Sequence, residues 1–352
     1  MSASLPVVPD TMRTWQYSSV EGKLEDYLTI VEVPVPSPSS LAKGQLLVEI
    51  ISASINPVDY KLPESGIIGR LMISRPATPG LDFCGRIIAK HPSVTAFETG
   101  QLVFGGFTQA NPMGTLGQYT VTSSGFCALV PAGIDPDQAA AVGTAATTAY
   151  QSLMPDSLEP GATIFINGGS GGVGTWAIQE AKALGAQVVT TCSTGNVELC
   201  RQLGADEVLD YKKVDIISDL KSRGNVFDLV VDNVGSSTEL YDTSPSLLKP
   251  GGTFVQVGVG EAMTASGVAS SLKKQFVPTF IRGGPRYYFV NMKNTSEFFG
   301  RIGSWMAEGK ARAIVDETYE WKDVPAAFRR LREGHVRGKI VIHVSKRVKS
   351  DI

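Results

Sequence analysis

Apolar and polar positions alternate in short runs through the first third of the chain, as in GQLLVEIISASI (44–55), GRIIAK (85–90), GQLVFG (100–105) and GQYTV (117–121). Gly and Pro separate the runs, so the pattern predicts a β-rich, barrel-like domain. The rhythm changes at Pro136. DPDQAAAVGTAATTAYQSL reads as a helical stretch opened by Asp135 or Asp137, with small residues that permit close packing. Continuous apolar runs then alternate with helical ones: ATIFIN (162–167), GVGTWAIQEAKALG, AQVVTTCS (186–193), NVELCRQLG, DEVLDY (206–211), FDLVVDNVG (227–235) and GGTFVQVGV (251–259). Strands apolar on both faces, joined by helices, predict a doubly wound parallel sheet. RYYFVNM (286–292) offers one more strand. After it come the helix TSEFFGRIGSWMAEGK, a polar-flanked strand, the helix VPAAFRRLREG and a last strand, GKIVIHVS.

Length and charge narrow the partners. The 352 residues exceed one ordinary domain, and 43% hydrophobic with 19% charged residues is a globular composition. A net charge of −2 carries no basic excess of the kind that neutralises nucleic-acid phosphates, which leaves a small-molecule partner. Pro6 and Pro9 interrupt the N-terminus before an apolar segment can form, and no apolar stretch reaches bilayer length, so the expectation is a cytoplasmic protein without a membrane partner. Cys84, Cys127, Cys192 and Cys200 are far apart in sequence, none in C-x-x-C spacing, which predicts reduced, buried thiols.

Gly169, Gly171 and Gly174 satisfy G-x-G-x-x-G, a weak motif alone. Here it follows the strand ATIFIN and opens a helix, and that context makes it a phosphate cradle. One glycine permits the tight turn, one lets the backbone approach a pyrophosphate, and one lets the helix lie close to its strand, while Gly172 and Val173 begin the helix facing the anion. The second strand ends in Ser193, Thr194 and, shortly after, Asn196 rather than in an acidic residue. Hydroxyls and amides can donate to a 2′-phosphate that a carboxylate would repel. The third strand ends Asp210–Tyr211–Lys212–Lys213, so Tyr211 and two cations share that edge and the expected cofactor is NADPH.

NPVDYK (56–61), TPGLDFCGRI (78–87), GTAATTAYQSL (143–153), GGSGGVGTWAIQEAKALGA (168–186), LGADEVLDY (203–211), DLVVDNVG (228–235), LLKPGGTFVQVG (247–258) and RGKIVI (337–342) together resemble the medium-chain dehydrogenase/reductase superfamily. Within it the chain is similar to the zinc-independent quinone oxidoreductase-like and trans-acting enoyl reductase-like branch. The resemblance implies an α/β protein: a GroES-like β-rich barrel domain over 1–132 and 294–352, and a Rossmann dinucleotide-binding domain over 133–293. It also implies a homodimer. Zinc-dependent members carry an early cysteine ligand and a Gly-His-Glu; this chain has Asn56 and Asp59 in the first region and Gly80–Leu81–Asp82 in the second, and His91, His335 and His343 are scattered. No metal site is expected.

Without zinc, hydride must go to an acceptor already polarised by conjugation, an α,β-unsaturated carbonyl or a quinone, and a donor must stabilise or protonate the enolate. Tyr60 or Lys61 could be that donor, with Pro57 fixing the turn and Asn56 and Asp59 positioning the nicotinamide ribose or their own neighbours. The resemblance further implies Thr148 beside the nicotinamide, or else as a helix-core hydroxyl. It places Asn233, Val257, Gly258 and Val259 at the strand ends lining the nicotinamide, with Phe289 and Val290 on the late strand whose backbone holds the carboxamide. Lys339 matches a position near the cofactor, or lies on the surface. Where relatives place a basic residue for the 2′-phosphate, this chain has Gly195. Arg282 and Arg286 flank a Gly-Gly-Pro turn followed by two tyrosines, which suggests an arm able to stack on a flat substrate, or a solvated loop. The alternative function is a nucleotide-binding protein with a non-redox isomerase, cyclase or regulatory role.

Overall fold

The computed structural model describes residues 8–108, 113–258, 274–276 and 284–345. The chain divides into two compact units, Met1–Thr147 with Lys293–Ile352, and Thr148–Met292.

The first unit opens with an antiparallel pair, β1 (Thr11–Gln16) and β2 (Thr29–Pro34). β3 (Gln45–Ile55) follows, then α1 (Pro57–Lys61), α2 (Ile67–Met72), β4 (Asp82–Lys90), β5 (Leu102–Gly106), β6 (Tyr119–Ser123) and β7 (Cys127–Leu129). β3 is the axis of this unit. One edge pairs with β4 along its length, and shifts of register near Leu47 and Ile50 bend that ladder. The other edge is shared: Gln45–Glu49 pair with β6, and Ser52–Ile55 pair with a strand from the end of the chain. Leu46, Leu47, Val48, Ile50 and Ala53 are fully buried as a result.

Two helices, α3 (Pro136–Ala140) and α4 (Gly143–Ser152), fill the stretch where one helical segment was expected, and Asp135 caps the first by accepting from the Asp137 N–H at 2.8 Å. The expected start of the second domain at 133 is corrected to Thr148. The reason is local. Ser52 Oγ donates to Asp137 Oδ1 at 2.6 Å, and Ser54 Oγ donates to the Ala140 carbonyl at 2.8 Å, so α3 is fastened to β3.

The second unit is one parallel sheet of β8 (Thr163–Asn167), β9 (Gln187–Cys192), β10 (Glu207–Asp210), β11 (Phe227–Asp232), β12 (Leu248–Gln256) and β13 (Arg286–Phe289), in the order β10-β9-β8-β11-β12-β13. The strand order reverses between β8 and β11, the place where open α/β sheets bind ligands at their carboxyl ends. Its helices are α5 (Gly172–Ala183), α6 (Val197–Gln202), α7 (Ile216–Arg223) and α8 (Glu239–Thr243). Phe165, Phe227, Phe254 and Leu220 centre its core. Tyr287 belongs there too. It stacks on Phe254 at 6.1 Å and meets Tyr241 edge-on at 5.3 Å, so of the two tyrosines expected in a substrate-stacking arm one is core; Arg286 starts β13, and Arg282 lies outside the described residues.

The chain then returns to the first unit through α9 (Ser296–Ala307), β14 (Val315–Glu320), α10 (Val324–Arg332) and β15 (Lys339–His343). β15 inserts between β14 and β3, parallel to the former and antiparallel to the latter.

Candidate active site

The glycines of the turn after β8 divide their tasks by what surrounds them. Gly168, outside the motif, takes the left-handed turn at φ 84°. A Cβ on Gly169 would lie 2.2 Å from Thr190 Oγ1, and one on Gly174 would lie 2.1 Å from the Gly168 carbonyl, so these two permit close packing of loop, strand and helix. Gly171 is different: the nearest atom to a Cβ there is 3.7 Å away. Its side is open, as the approach of a pyrophosphate to bare backbone requires. The first i→i−4 bond of α5 is Thr175 N–H to Gly171 O at 2.9 Å, so the N–H groups of Gly172, Val173 and Gly174 have no partner within the helix.

A relay of side chains that sequence reasoning missed holds this loop. Asn167 Nδ2 donates to Asp232 Oδ1 at 2.9 Å, Thr191 Oγ1 donates to Asn167 Oδ1 at 2.7 Å, and the Gly168 N–H donates to Thr191 Oγ1 at 2.9 Å. Three strand ends are thereby tied to the turn. The only sequence sign was the position of each residue at the end of an apolar run.

At the ribose end, Asn196 Nδ2 donates to Ser170 Oγ at 3.1 Å and Ser193 Oγ at 3.3 Å, so the loop after β9 is fastened to the glycine turn. Asn196 Oδ1 is buried without a partner, an unmet acceptor suited to a nucleotide's donor. Thr194 is exposed, and so is Tyr211, with Lys212 over its ring at 5.4 Å. Asp210 adds an acidic group beside them. Desolvation opposes its ionisation, yet hydrogen bonds from Thr194 and the Lys212 N–H, with Lys213 and Lys212 near by, hold its carboxyl below the usual range. Cys192 and Cys200, distant in sequence, are hydrogen-bonded neighbours at the same edge, and all four cysteines are buried and free.

At the β11 and β12 ends, both side-chain polar atoms of Asn233 are buried without partners. The N–H groups of Val257 and Gly258 both donate to the Asp232 carbonyl, at 2.9 and 3.0 Å, and Val259 lies outside the described residues. The backbone donors of the late strand are already used: Phe289 N–H by Gln275 Oε1 at 3.0 Å and Val290 N–H by the Gln256 carbonyl at 3.0 Å. A carboxamide held there by N–H groups would have to displace one of them. Thr148 is buried in α4, whose Thr147 Oγ1 donates to Asn294 Oδ1 at 2.7 Å.

In the first unit, Asn56, Asp59 and Lys339 come together around Asp82, whose role the sequence did not reveal. Pro57 opens α1, and a capping box closes it: the Asn56 N–H donates to Asp59 Oδ2 at 2.7 Å. Asp82 Oδ1 accepts from both the N–H and the hydroxyl of Thr144, each at 2.7 Å, and so sits on the start of α4. A Cβ on Gly143 would fall 2.1 Å from the Asp82 carboxyl carbon, so glycine is required there. Asp82 Oδ2 accepts from Asn56 Nδ2 at 2.7 Å and faces Lys339 Nζ at 3.4 Å. The ammonium also donates to the Ile55 carbonyl at 3.0 Å and to Asn56 Oδ1. Lys339 is 3% exposed, which removes the surface reading. Burial lowers its pKa while Asp82 and Asp59 oppose the shift. Burial, then the Asp82 charge, pushes the Asp59 carboxyl up to about 7.

Tyr60 and Lys61 follow on the same turn, but Tyr60 faces another cluster. The Arg332 guanidinium lies over its ring at 4.1 Å and pairs with Glu25 at 2.8 Å and Glu64 at 2.5 Å. Burial raises the phenol's pKa, so it stays protonated. Lys61 is half-buried at the end of α1.

A zinc ion does not fit this arrangement. Asn56 and Asp82 direct their polar atoms to each other, to Thr144 and to an ammonium group, and among the described residues no three His, Cys, Asp or Glu side chains form a group that could hold a metal. Among the described residues no helix is long and apolar enough to cross a membrane.

Comparison with known proteins agrees with the architecture. Residues 42–150 match the model of the alcohol dehydrogenase GroES-like domain, and residues 203–342 match that of the zinc-binding dehydrogenase domain. The chain is 41% identical over 350 residues to the trans-enoyl reductase pgmF of Aspergillus terreus, covering 96% of this chain and 98% of the relative. It is 32% identical to the chloroplastic quinone-oxidoreductase homolog of Spinacia oleracea, over 94% and 98% of the two chains. The solved quinone oxidoreductase of Coxiella burnetii superimposes with a TM-score of 0.80 at 26% identity, covering 95% of this chain and 100% of that one. A glycine cradle at the switch point of a 3-2-1-4-5-6 parallel sheet, joined to a GroES-like β unit and to relatives of this coverage, places the chain in the medium-chain dehydrogenase/reductase superfamily of NAD(P)-binding oxidoreductases, in its quinone oxidoreductase-like and trans-enoyl reductase-like branch.

Proposed function

We propose that the chain is a zinc-independent, NADPH-dependent reductase of conjugated acceptors, either α,β-unsaturated carbonyls or quinones. One observation carries the reading: the α1 head, where zinc-dependent relatives place ligands, is a closed set of Asn56, Asp59, Asp82 and Lys339. Bound at the Gly171 opening, NADPH would supply a hydride to a carbon conjugated with a carbonyl. The chain's own part is then binding, orientation and a proton. Gly171, Gly172, Val173 and Gly174 would hold the pyrophosphate; Ser193, Thr194, Asn196 and Tyr211 would hold the 2′-phosphate and ribose, with Lys212 and Lys213 offsetting Asp210. Asn233, with both polar atoms unmet, is suited to the nicotinamide end together with Thr148, Val257, Gly258, Phe289 and Val290. Lys61 is the better placed donor to the developing enolate oxygen, because Tyr60 is stacked under Arg332.

The test is a fluorescence titration of NADPH and NADH, followed by NADPH consumption with enones and quinones. Tighter binding of NADPH by tenfold or more, with turnover of at least one acceptor class, is expected. Equal affinities would overturn the ribose assignment, and NADPH binding without any turnover would move the protein to the non-redox reading.

A further inference from the structure

The segment between Pro63 and Arg75 has a fixed base and an apolar crown. At its base, Arg75 Nη2 donates to the Pro63 carbonyl at 3.2 Å, and the Arg75 guanidinium lies over the Tyr17 ring at 5.4 Å. Glu64 is held by Arg332 and by the Leu24 N–H, which donates to it at 2.7 Å. Gly69 packs α2 against the end of α1; a Cβ there would lie 2.2 Å from the Leu62 carbonyl. The crown presents Ile67, Leu71 and Met72 at 74%, 82% and 60% exposure. Three large apolar side chains in one short helix, at i, i+4 and i+5, form a patch, unlike the single leucines scattered over most protein surfaces.

Size decides the occupant. Three side chains on a six-residue helix fall far short of the ~800 Å² per partner that a stable protein–protein contact buries. They match a run of methylene groups. The patch also continues directly from α1, whose last residue is Lys61. We infer that Ile67, Leu71 and Met72 bind the apolar tail of the acceptor and set its chain-length preference, while its carbonyl lies at Lys61. This rests on the proposed reductase function and adds to it the residues that choose among acceptors.

The experiment compares the full-length protein with an Ile67→Ser/Leu71→Ser/Met72→Gln variant, all at exposed positions, on 2-enoyl N-acetylcysteamine thioesters of four to twelve carbons. For the native chain kcat/KM should climb with each added methylene, by up to about fourfold at full burial. The variant should flatten that rise, losing tenfold or more on the longest thioester while staying within twofold on the shortest. An unchanged slope, or an equal loss at every length, would overturn the inference. Calorimetric titration with the saturated dodecanoyl and butanoyl thioesters separates this from failure of the reductase reading. Weaker dodecanoyl binding by the variant supports the tail site even if no acceptor turns over; equal binding rejects it. Concentration-dependent self-association lost in the variant, with no change in chain-length slope, would assign the patch to a second copy and overturn the proposal.

Discussion

Two glycines three residues apart separate ligand approach from packing. At Gly171 a methyl group would meet only the Gly168 carbonyl at 3.7 Å, an ordinary contact. Gly171→Ala should therefore melt within a degree or two of the native chain but bind NADPH at least tenfold more weakly. At Gly174 the same methyl would lie 2.1 Å from that carbonyl, backbone that cannot step aside. Gly174→Ala should cost about 1–3 kcal/mol of stability as well as cofactor affinity. Thermal melting with a parallel fluorescence titration reads both, and a Gly171→Ala protein that binds normally would remove the phosphate from this turn. The cradle was legible because spaced glycines between an apolar strand and a helix are what close approach of an anion to bare backbone demands. The Cys192–Cys200 contact was not, since nothing in their spacing says that a loop brings α6 back to the end of β9.

Among the elements, Asp82 joins the N-termini of two helices to a strand from the far end of the chain. It receives α1 through Asn56, α4 through Thr144, and β15 through Lys339. Removing only the cation strands a buried carboxylate. Lys339→Met should cost about 3–5 kcal/mol. Lys339→Met combined with Asp82→Asn should cost less than the sum of the two single changes, because the second removes the charge the first leaves unpaired. Chemical denaturation of the three variants checks this, and strict additivity would dissolve the pair. Strand and helix positions followed from periodicity, but this hub could not. Asp82 and Lys339 are 257 positions apart, and a lone Asp in a β run gives no hint of its partner. The unit boundary escaped for a related reason: α3 has the small-residue pattern of a helix packed anywhere, and only Ser52 and Ser54 show that it packs on β3.

Across the whole molecule, stability should carry the signature of the buried charges. Asp59 and Asp82 share one ammonium group, and Asp59 is the member held up to about 7, first by burial and then by its acidic neighbour. A carboxyl whose folded pKa exceeds its unfolded value stabilises fully below the unfolded pKa and loses that contribution as pH climbs to the folded one. From Asp59 alone, stability should fall between about pH 4 and pH 7, by on the order of 3 kcal/mol. Asp59→Asn should match the native chain in acid and exceed it at pH 8, measured by denaturation midpoints; a native excess at pH 8 would contradict the protonated form. The insertion of β15 between β14 and β3 bears on biogenesis. While the ribosome is still making the last fifty residues or so, β3 exposes half of one edge with its hydrogen-bonding groups unpaired. All six strands of the nucleotide-binding sheet have by then been synthesised. Nascent chains should therefore mature out of order, the interior segment settling before the amino-terminal one, which waits for a strand that is among the last parts translated.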